Sequence, residues 1–159
     1  MNLNLMFSKR RSYLGILICL ILTGCTVAPS VLSEKVVINV LSGREGPNGP
    51  VLVVKIDDTA SAHPQIGLED ADIVYIEQVE GGLTRLAAVF SSVIPQRIGP
   101  VRSARISDIE ILSQFGRVAF AYSGAQKKLL PVIAAANLQD LGAQRQSSTI
   151  FTTDPNRTR

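Results

Sequence analysis

Apolar and polar positions alternate between three regimes along the chain. Residues 13–22, YLGILICLIL, form an unbroken apolar run too short to span a bilayer as a helix, which needs about 20 such residues. Residues 35–40, KVVINV, predict a first strand. The Gly- and Pro-rich stretch 42–50, SGREGPNGP, predicts a loop. Residues 51–57, VLVVKID, are a continuous, β-branched apolar run with a charged end. That composition predicts a strand buried on both faces. Residues 58–70 read as a polar loop with one helical turn near Leu68.

Residues 71–92, ADIVYIEQVEGGLTRLAAVFSS, predict a β-hairpin. Two β-rich arms flank Gly81-Gly82. A three-residue loop, Glu80-Gly81-Gly82, with a glycine in the left-handed region would close Val79 against Leu83. Glu77 would then face Arg85 directly, a pairing of modest value, ~0.2–1 kcal/mol. A two-residue loop would set Gln78 or Ile76 beside Arg85 instead.

Further on, Ser107 and Glu110 fit a capping box, predicting a helix over 108–115 with Gly116 as its stop. Residues 117–124 predict a strand. Residues 125–142 have helical periodicity, with Pro131 at a kink or in a first turn. Residues 148–154, STIFTTD, predict a last strand. The expected fold is therefore α/β or α+β: a mixed sheet with a central hairpin (71–92) and two or more packing helices.

Composition narrows this picture. At 46% hydrophobic and 18% charged residues, a wholly disordered chain is excluded. The net charge of +3 belongs entirely to Lys9, Arg10 and Arg11. From Cys25 onward, 13 basic residues balance 13 acidic ones. A balanced body lacks the basic field that nucleic-acid binding requires, so no nucleic-acid partner is expected.

The basic cluster, the apolar run and the small residues before Cys25 have the layout of a secretory signal. The ending LTGC resembles a bacterial lipobox, which implies cleavage before Cys25 and lipidation of its thiol. Two or three acyl chains hold a protein stably at a membrane, whereas one does so only marginally. An uncleaved anchor is the alternative, since residues 12–33 carry no charge. Gly24, Pro29 and several hydroxyls interrupt that stretch. Residues 1–24 are thus read as a lipoprotein signal peptide and 25–40 as lipidated Cys and tether. Cys19 would leave with the signal.

Three ordered blocks carry a family resemblance: Lys55-Ile56-Asp57-Asp58 through Ala71-Asp72-Ile73-Val74-Tyr75 and Val79-Glu80-Gly81-Gly82; GPVRSAR at 99–105, then Asp108; and Tyr122-Ser123-Gly124. The chain from residue 41 on resembles the N-terminal domain of the DUF3048 (YerB-like) bacterial lipoproteins. His63, Ile66 and Asp58 depart from the family pattern. The resemblance implies a second, C-terminal domain beyond a segment whose start matches Phe151, Asp154 and Arg157. The expected domain, 41–159, would therefore be truncated at its C-terminal end. The family brings an address and an architecture, with no assigned activity.

Arg102 and Arg105 precede a predicted helix start, and Arg85 lies on the hairpin. Together they are candidates for an anion site, because guanidinium groups and helix N-terminal amides both favour phosphate or carboxylate. The competing reading pairs these arginines with Glu69, Asp70, Asp72, Glu77 and Glu80. Asp72, Glu77, Glu80 and Asp108, with Gly81 and Gly82, are assigned ion-pair or turn roles. Asp57, Asp58, Asp70 and Asp72 lack a metal-loop spacing, so no metal and no cofactor are expected. His63, the single histidine, reads as a loop residue, and no serine sits in a nucleophile elbow. Glu77 and Glu80 would point to opposite strand faces, not form an acid pair.

No catalytic residue is assigned. The expected function is a membrane-anchored, extracytoplasmic binding domain of the cell envelope, with an envelope protein or an anionic ligand as partner. The alternative is an envelope enzyme or receptor acting through Arg85, Arg102 and Arg105.

Overall fold

The computed structural model describes residues 36–155. The expected signal peptide (1–24), Cys25, the expected tether up to Lys35, and Arg157 lie outside the described residues. Five strands form one sheet: β1 (Leu52–Asp57), β2 (Ile73–Gln78), β3 (Thr84–Phe90), β4 (Val118–Tyr122) and β5 (Leu138–Gly142). Among the described residues two α-helices accompany them, α1 (Ile106–Ser113) and α2 (Leu130–Ala135). The spatial order is β2-β3-β1-β4-β5. The pairs β2–β3 and β3–β1 are antiparallel, while β1–β4 and β4–β5 are parallel. This is an α+β fold with a mixed sheet. None of the helices among the described residues is long and apolar enough to cross a membrane.

Two cores explain the unbroken apolar run of β1. On one face Val53, Val89, Val118 and Phe120 pack with Leu112 of α1 and Ile133 of α2. On the other, Val54, Ile56, Leu86, Ala88 and Phe90 pack under Leu68, Ile98 and Val101 from loops. A strand covered on both sides has no reason to alternate apolar and polar residues. The loop cover is held close. Ile66 exchanges two backbone hydrogen bonds with Gly99, at 2.7 and 3.0 Å. Gly67 adopts φ +72°, and a Cβ there would meet the Arg97 carbonyl at 2.5 Å. Only glycine fits such a left-handed, crowded position.

The hairpin forms in the register that its charges and glycines predict. Glu77 stands opposite Arg85 and Gln78 opposite Thr84. Val79 N–H donates to the Leu83 carbonyl at 2.8 Å. Gly81 and Gly82 both adopt positive φ, +74° and +71°. The helical turn near Leu68 is the 3₁₀ turn Leu68–Asp70.

Four expectations are corrected. Of the strand expected over 35–40, the described segment 36–40 makes an isolated bridge, Ile38 to Glu45, in place of a strand. Its apolar residues stay exposed, and Asn39 is the buried one. The Asn39 amide donates to the Pro47 carbonyl at 2.8 Å and to Ser91 Oγ at 3.1 Å, ordering the loop from inside. The long helix over 125–142 is only α2, followed by β5. The free edge of β4 supplies a complete ladder to residues 138–142, and a ladder outweighs helix propensities of a few tenths of a kcal/mol per residue. Pro131 sits in the first turn of α2, as one of its two expected places. Residues 148–154 turn back on Ser147, whose carbonyl accepts from Ile150 and Phe151, and form no strand. Finally, α1 begins at Ile106 and not Asp108, and the Ser107/Glu110 box is not its cap. Asp108 takes that role, its Oδ2 accepting the Arg105 amide at 2.6 Å. The Ser107 hydroxyl is turned toward Glu77 instead.

Candidate functional site

The parallel ladder between β1 and β4 stops at Val54 and Ala121. Beyond it the strands diverge, and the GPVRSAR segment wedges between them. Pro100 accepts from the Asp57 amide at 2.9 Å, and Arg102 N–H donates to Lys55 at 2.8 Å. On the other side Ser123 N–H donates to Arg102 and Ala104 N–H to Gly124. This is also where the sheet order reverses. From β1 the chain goes to β2 and β3 on one side, and from β4 to β5 on the other. Crevices at the carboxyl ends of parallel strands, at such a switch point, are the habitual ligand sites of open sheets.

A cleft of about 610 Å³ opens there. Its walls come from the hairpin tip (78–80), the start of α1 (104–107) and the segment after β4 (126–132). Arg105 and Lys128 bring positive charge, Glu80 negative charge, and Ser107 and Gln126 neutral polar groups. Val79, Ala104, Ile106, Leu129 and Val132 supply the apolar part of the lining, and Gln78 a further neutral polar group.

The three candidate arginines are not equivalent. Arg85 is mostly buried and binds Asp57 Oδ1 at 3.0 Å through Nη1, which also reaches the Thr84 carbonyl at 2.7 Å. Arg102 gives Nε to Asp57 Oδ2 at 2.6 Å and keeps 46% of its side chain exposed. Arg105 alone lines the cleft. Its Nε meets Glu80 Oε2 at 2.8 Å, and its Nη1 reaches the carbonyls of Ser103 and Ala104 at 3.2 Å. One carboxylate thus joins Arg85 and Arg102 while another holds Arg105.

Asp57 is 1% exposed. Burial pushes its carboxyl up, but hydrogen bonds from Arg102 and the Thr59 amide, and the charges of Arg102 and Arg85, hold it below the usual carboxylate value. Glu80 is also held low, by its own backbone amide and by Arg105. Asp72 accepts from the amides of Ser91 and Ser92 at 2.6 and 2.8 Å and from the Ser92 hydroxyl, closing the turn after β3. Among the described residues no group of three or more His, Cys, Asp or Glu could hold a metal. Asp58 binds Thr84 Oγ1 at 2.6 Å and stands 3.3 Å from His63, in the loop.

A buried cluster lies behind the cleft wall. Lys55, fully buried, donates to Glu77 Oε1 and, at 2.8 Å, to Asp108 Oδ1. Glu77 Oε2 accepts from Ser107 Oγ at 2.5 Å. Burial raises the Asp108 carboxyl to about 6, against the pull of Lys55 and the Arg105 amide and with the push of Glu77. Glu77 therefore faces Arg85 in register yet pairs with Lys55, while Arg85 pairs with Asp57. Sequence reasoning missed Lys55, and it missed Asp57 as the partner of the arginines. The available signal was a Lys and an Asp two residues apart inside an apolar strand, hence on one covered face. Lys128 and Gln126 carried no signal, because they were read as part of a long helix.

These features define an α+β domain with a cationic, partly apolar cleft at the carboxyl ends of its parallel strands. The chain belongs to the family described as "Protein of unknown function (DUF3048) N-terminal domain", whose model matches residues 40–159. It is 40% identical over 83 residues to "Putative lipoprotein YerB" of Bacillus subtilis (strain 168), an alignment covering 50% of this chain and 25% of that protein. The crystal structure of YerB from Bacillus subtilis matches with a TM-score of 0.57 at 30% identity, over 64% of this chain and 37% of that one. The matched part is thus about a quarter of the curated relative's length.

Proposed function

We propose that this chain is the N-terminal domain of a lipid-anchored, extracytoplasmic envelope lipoprotein, and that it binds an anionic ligand in the cleft at the ends of β1 and β4. The cleft carries the reading: Arg105 and Lys128 line it beside the first turn of α1, where amides lack intrahelical acceptors. Arg102 is half exposed three residues before Arg105 and can extend the cationic surface. Arg85, committed to Asp57, contributes to the scaffold.

Titration calorimetry of the mature chain with pyrophosphate tests this. Charge-assisted hydrogen bonds contribute about 1.5–3 kcal/mol each, so Arg105→Ala should weaken binding by roughly tenfold or more. Lys128→Ala should act in the same direction. Binding unchanged in the double variant would overturn the cleft as the site. Arg102→Ala separates ligand contact from scaffold, since a lost ligand with an unchanged melting temperature marks contact.

The anchor rests on the LTGC boundary and on the lipoprotein name of the Bacillus relative. Metabolic labelling with palmitate in a bacterial host should mark the chain at the membrane. Cys25→Ala should abolish both the label and the membrane fraction, and retention of either would refute the anchor.

A further inference from the structure

The Ser107 hydroxyl is placed unusually for a residue at the start of a helix. It does not cap α1, because Asp108 does. It lines the cleft and donates instead to a carboxylate that is itself 8% exposed. The opposite oxygen of that carboxylate is fixed by the Lys55 ammonium, which is in turn fixed by Asp108. A hydroxyl open to a cleft, a carboxylate in hydrogen-bond contact with it, and a third group orienting that carboxylate make the arrangement that activates an alcohol for nucleophilic attack.

We propose that Ser107 is a nucleophile for acyl transfer, with Glu77 as its proton acceptor, acting on an ester that carries an apolar acyl group and a nearby anionic group. This rests on the cleft being the ligand site. Val79, Ile106, Leu129 and Val132 suit the acyl group, and Arg105 and Lys128 the anion. Ser107 Oγ bonds to the carbonyl carbon as its proton passes to Glu77 Oε2. The bond from that carbon to the alcohol oxygen breaks, and Glu77 returns the proton to the departing oxygen. Water then attacks the acyl-Ser107 ester and gives a proton to Glu77. The proton returns to Ser107 Oγ as the acid leaves, so ester and water become acid and alcohol. The first-turn amides of α1 stand beside Ser107 and can receive the developing oxyanion.

The buried cluster fixes the geometry of this proton transfer. Lys55 holds Glu77 by one oxygen and Asp108 holds Lys55, which leaves Glu77 Oε2 on Ser107 Oγ. Lys55 and Asp108 are positioning residues, since neither reaches the cleft lining.

An alkyl fluorophosphonate is a suitable probe, because attack by Ser107 forms an O–P bond and releases fluoride. Intact-mass and peptide analysis of the mature chain should show one adduct on Ser107. Ser107→Ala should abolish it. That variant should keep the fold, because Ser107 is exposed and its neighbours still satisfy α1. Glu77→Gln should slow labelling by roughly 10²–10⁴-fold, the range of general-base catalysis. Where that variant unfolds, hydrolysis of p-nitrophenyl butyrate by wild type, absent in Ser107→Ala, is the second measurement. Folded wild type that forms no Ser107 adduct and shows no ester hydrolysis above Ser107→Ala would overturn the proposal. Pyrophosphate binding measured on the same preparation distinguishes outcomes: binding without labelling rejects the nucleophile alone, and loss of both rejects the cleft as well.

Discussion

Lys55→Met should lower the stability of the domain by about 3–5 kcal/mol, measured as a shift of the urea unfolding midpoint. The ammonium is fully buried and touches two carboxylates that are themselves buried, at 8% and 1% exposure. Removing it leaves Glu77 and Asp108 facing each other without a counter-charge. Methionine fills much of the lysine stem's volume, so the loss reports charge more than cavity. Adding Glu77→Gln and Asp108→Asn should recover a large part of it, because apolar and neutral groups in such a cluster can be as stable as the ions. A loss below about 1 kcal/mol would show that the cluster does not hold the sheet to α1.

The pH dependence has a defined sign. Burial lifts Asp108 to about 6 in the folded chain, above its unfolded value of 3.8. The folded state therefore holds that proton more tightly. This group contributes stability that is complete below about pH 4 and is lost as pH rises through about 6. In Lys55→Met the attraction that offsets burial is gone, so the deficit should grow as pH rises over that window.

Asp57→Asn should be the second most damaging change, near 3 kcal/mol. It is set toward the lower end because Arg102, unlike Arg85, is nearly half in water and screened there. Asp57 joins the end of β1 to β3 through Arg85 and to the wedge through Arg102. Its carboxyl is held below the unfolded value, the opposite case to Asp108. Its contribution is present above about pH 4 and is lost as pH falls through the lowered folded value. Below about pH 4, where the Asp108 contribution is already complete, wild type should thus lose stability on acidification, and Asp57→Asn should lose less over the same range. Equal acid sensitivity in both chains would place the acid-labile contact elsewhere, with Asp72 the next candidate.

The two changes also bear on the cleft. Lys55 and Asp57 sit two residues apart on β1, so they project to the same face and tie β1 there to elements on that side. Lys55 reaches β2 and α1, and Asp57 reaches β3 and the GPVRSAR wedge. Arg105 ends that wedge, and Ser107 lies two residues beyond it. Any loosening behind the wall should therefore displace the groups that line it, and ligand binding should weaken in both variants at concentrations of denaturant that leave wild type intact.

Local chemistry made several elements legible from the sequence. The double glycine and the apolar arms of 71–92 set the hairpin and its register, because glycine's access to positive φ acts within three residues. The unbroken apolar run of β1 and the stop at Gly116, φ +71°, were equally local. The share of the net charge carried by Lys9, Arg10 and Arg11 was plain arithmetic. Tertiary structure decided what depends on distant partners. Residues 138–142 became a strand because β4 offered an edge, whereas 36–40 join no strand of the sheet and make only the Ile38–Glu45 bridge. The charge partners were decided the same way. Glu77 faces Arg85 across two strands, yet Lys55 captures Glu77 from 22 residues away and Asp57 captures Arg85. Cross-strand spacing specifies which residues are neighbours. Burial under α1 specifies which charges must pair, because an uncompensated ion costs far more on that covered face than at the open hairpin end.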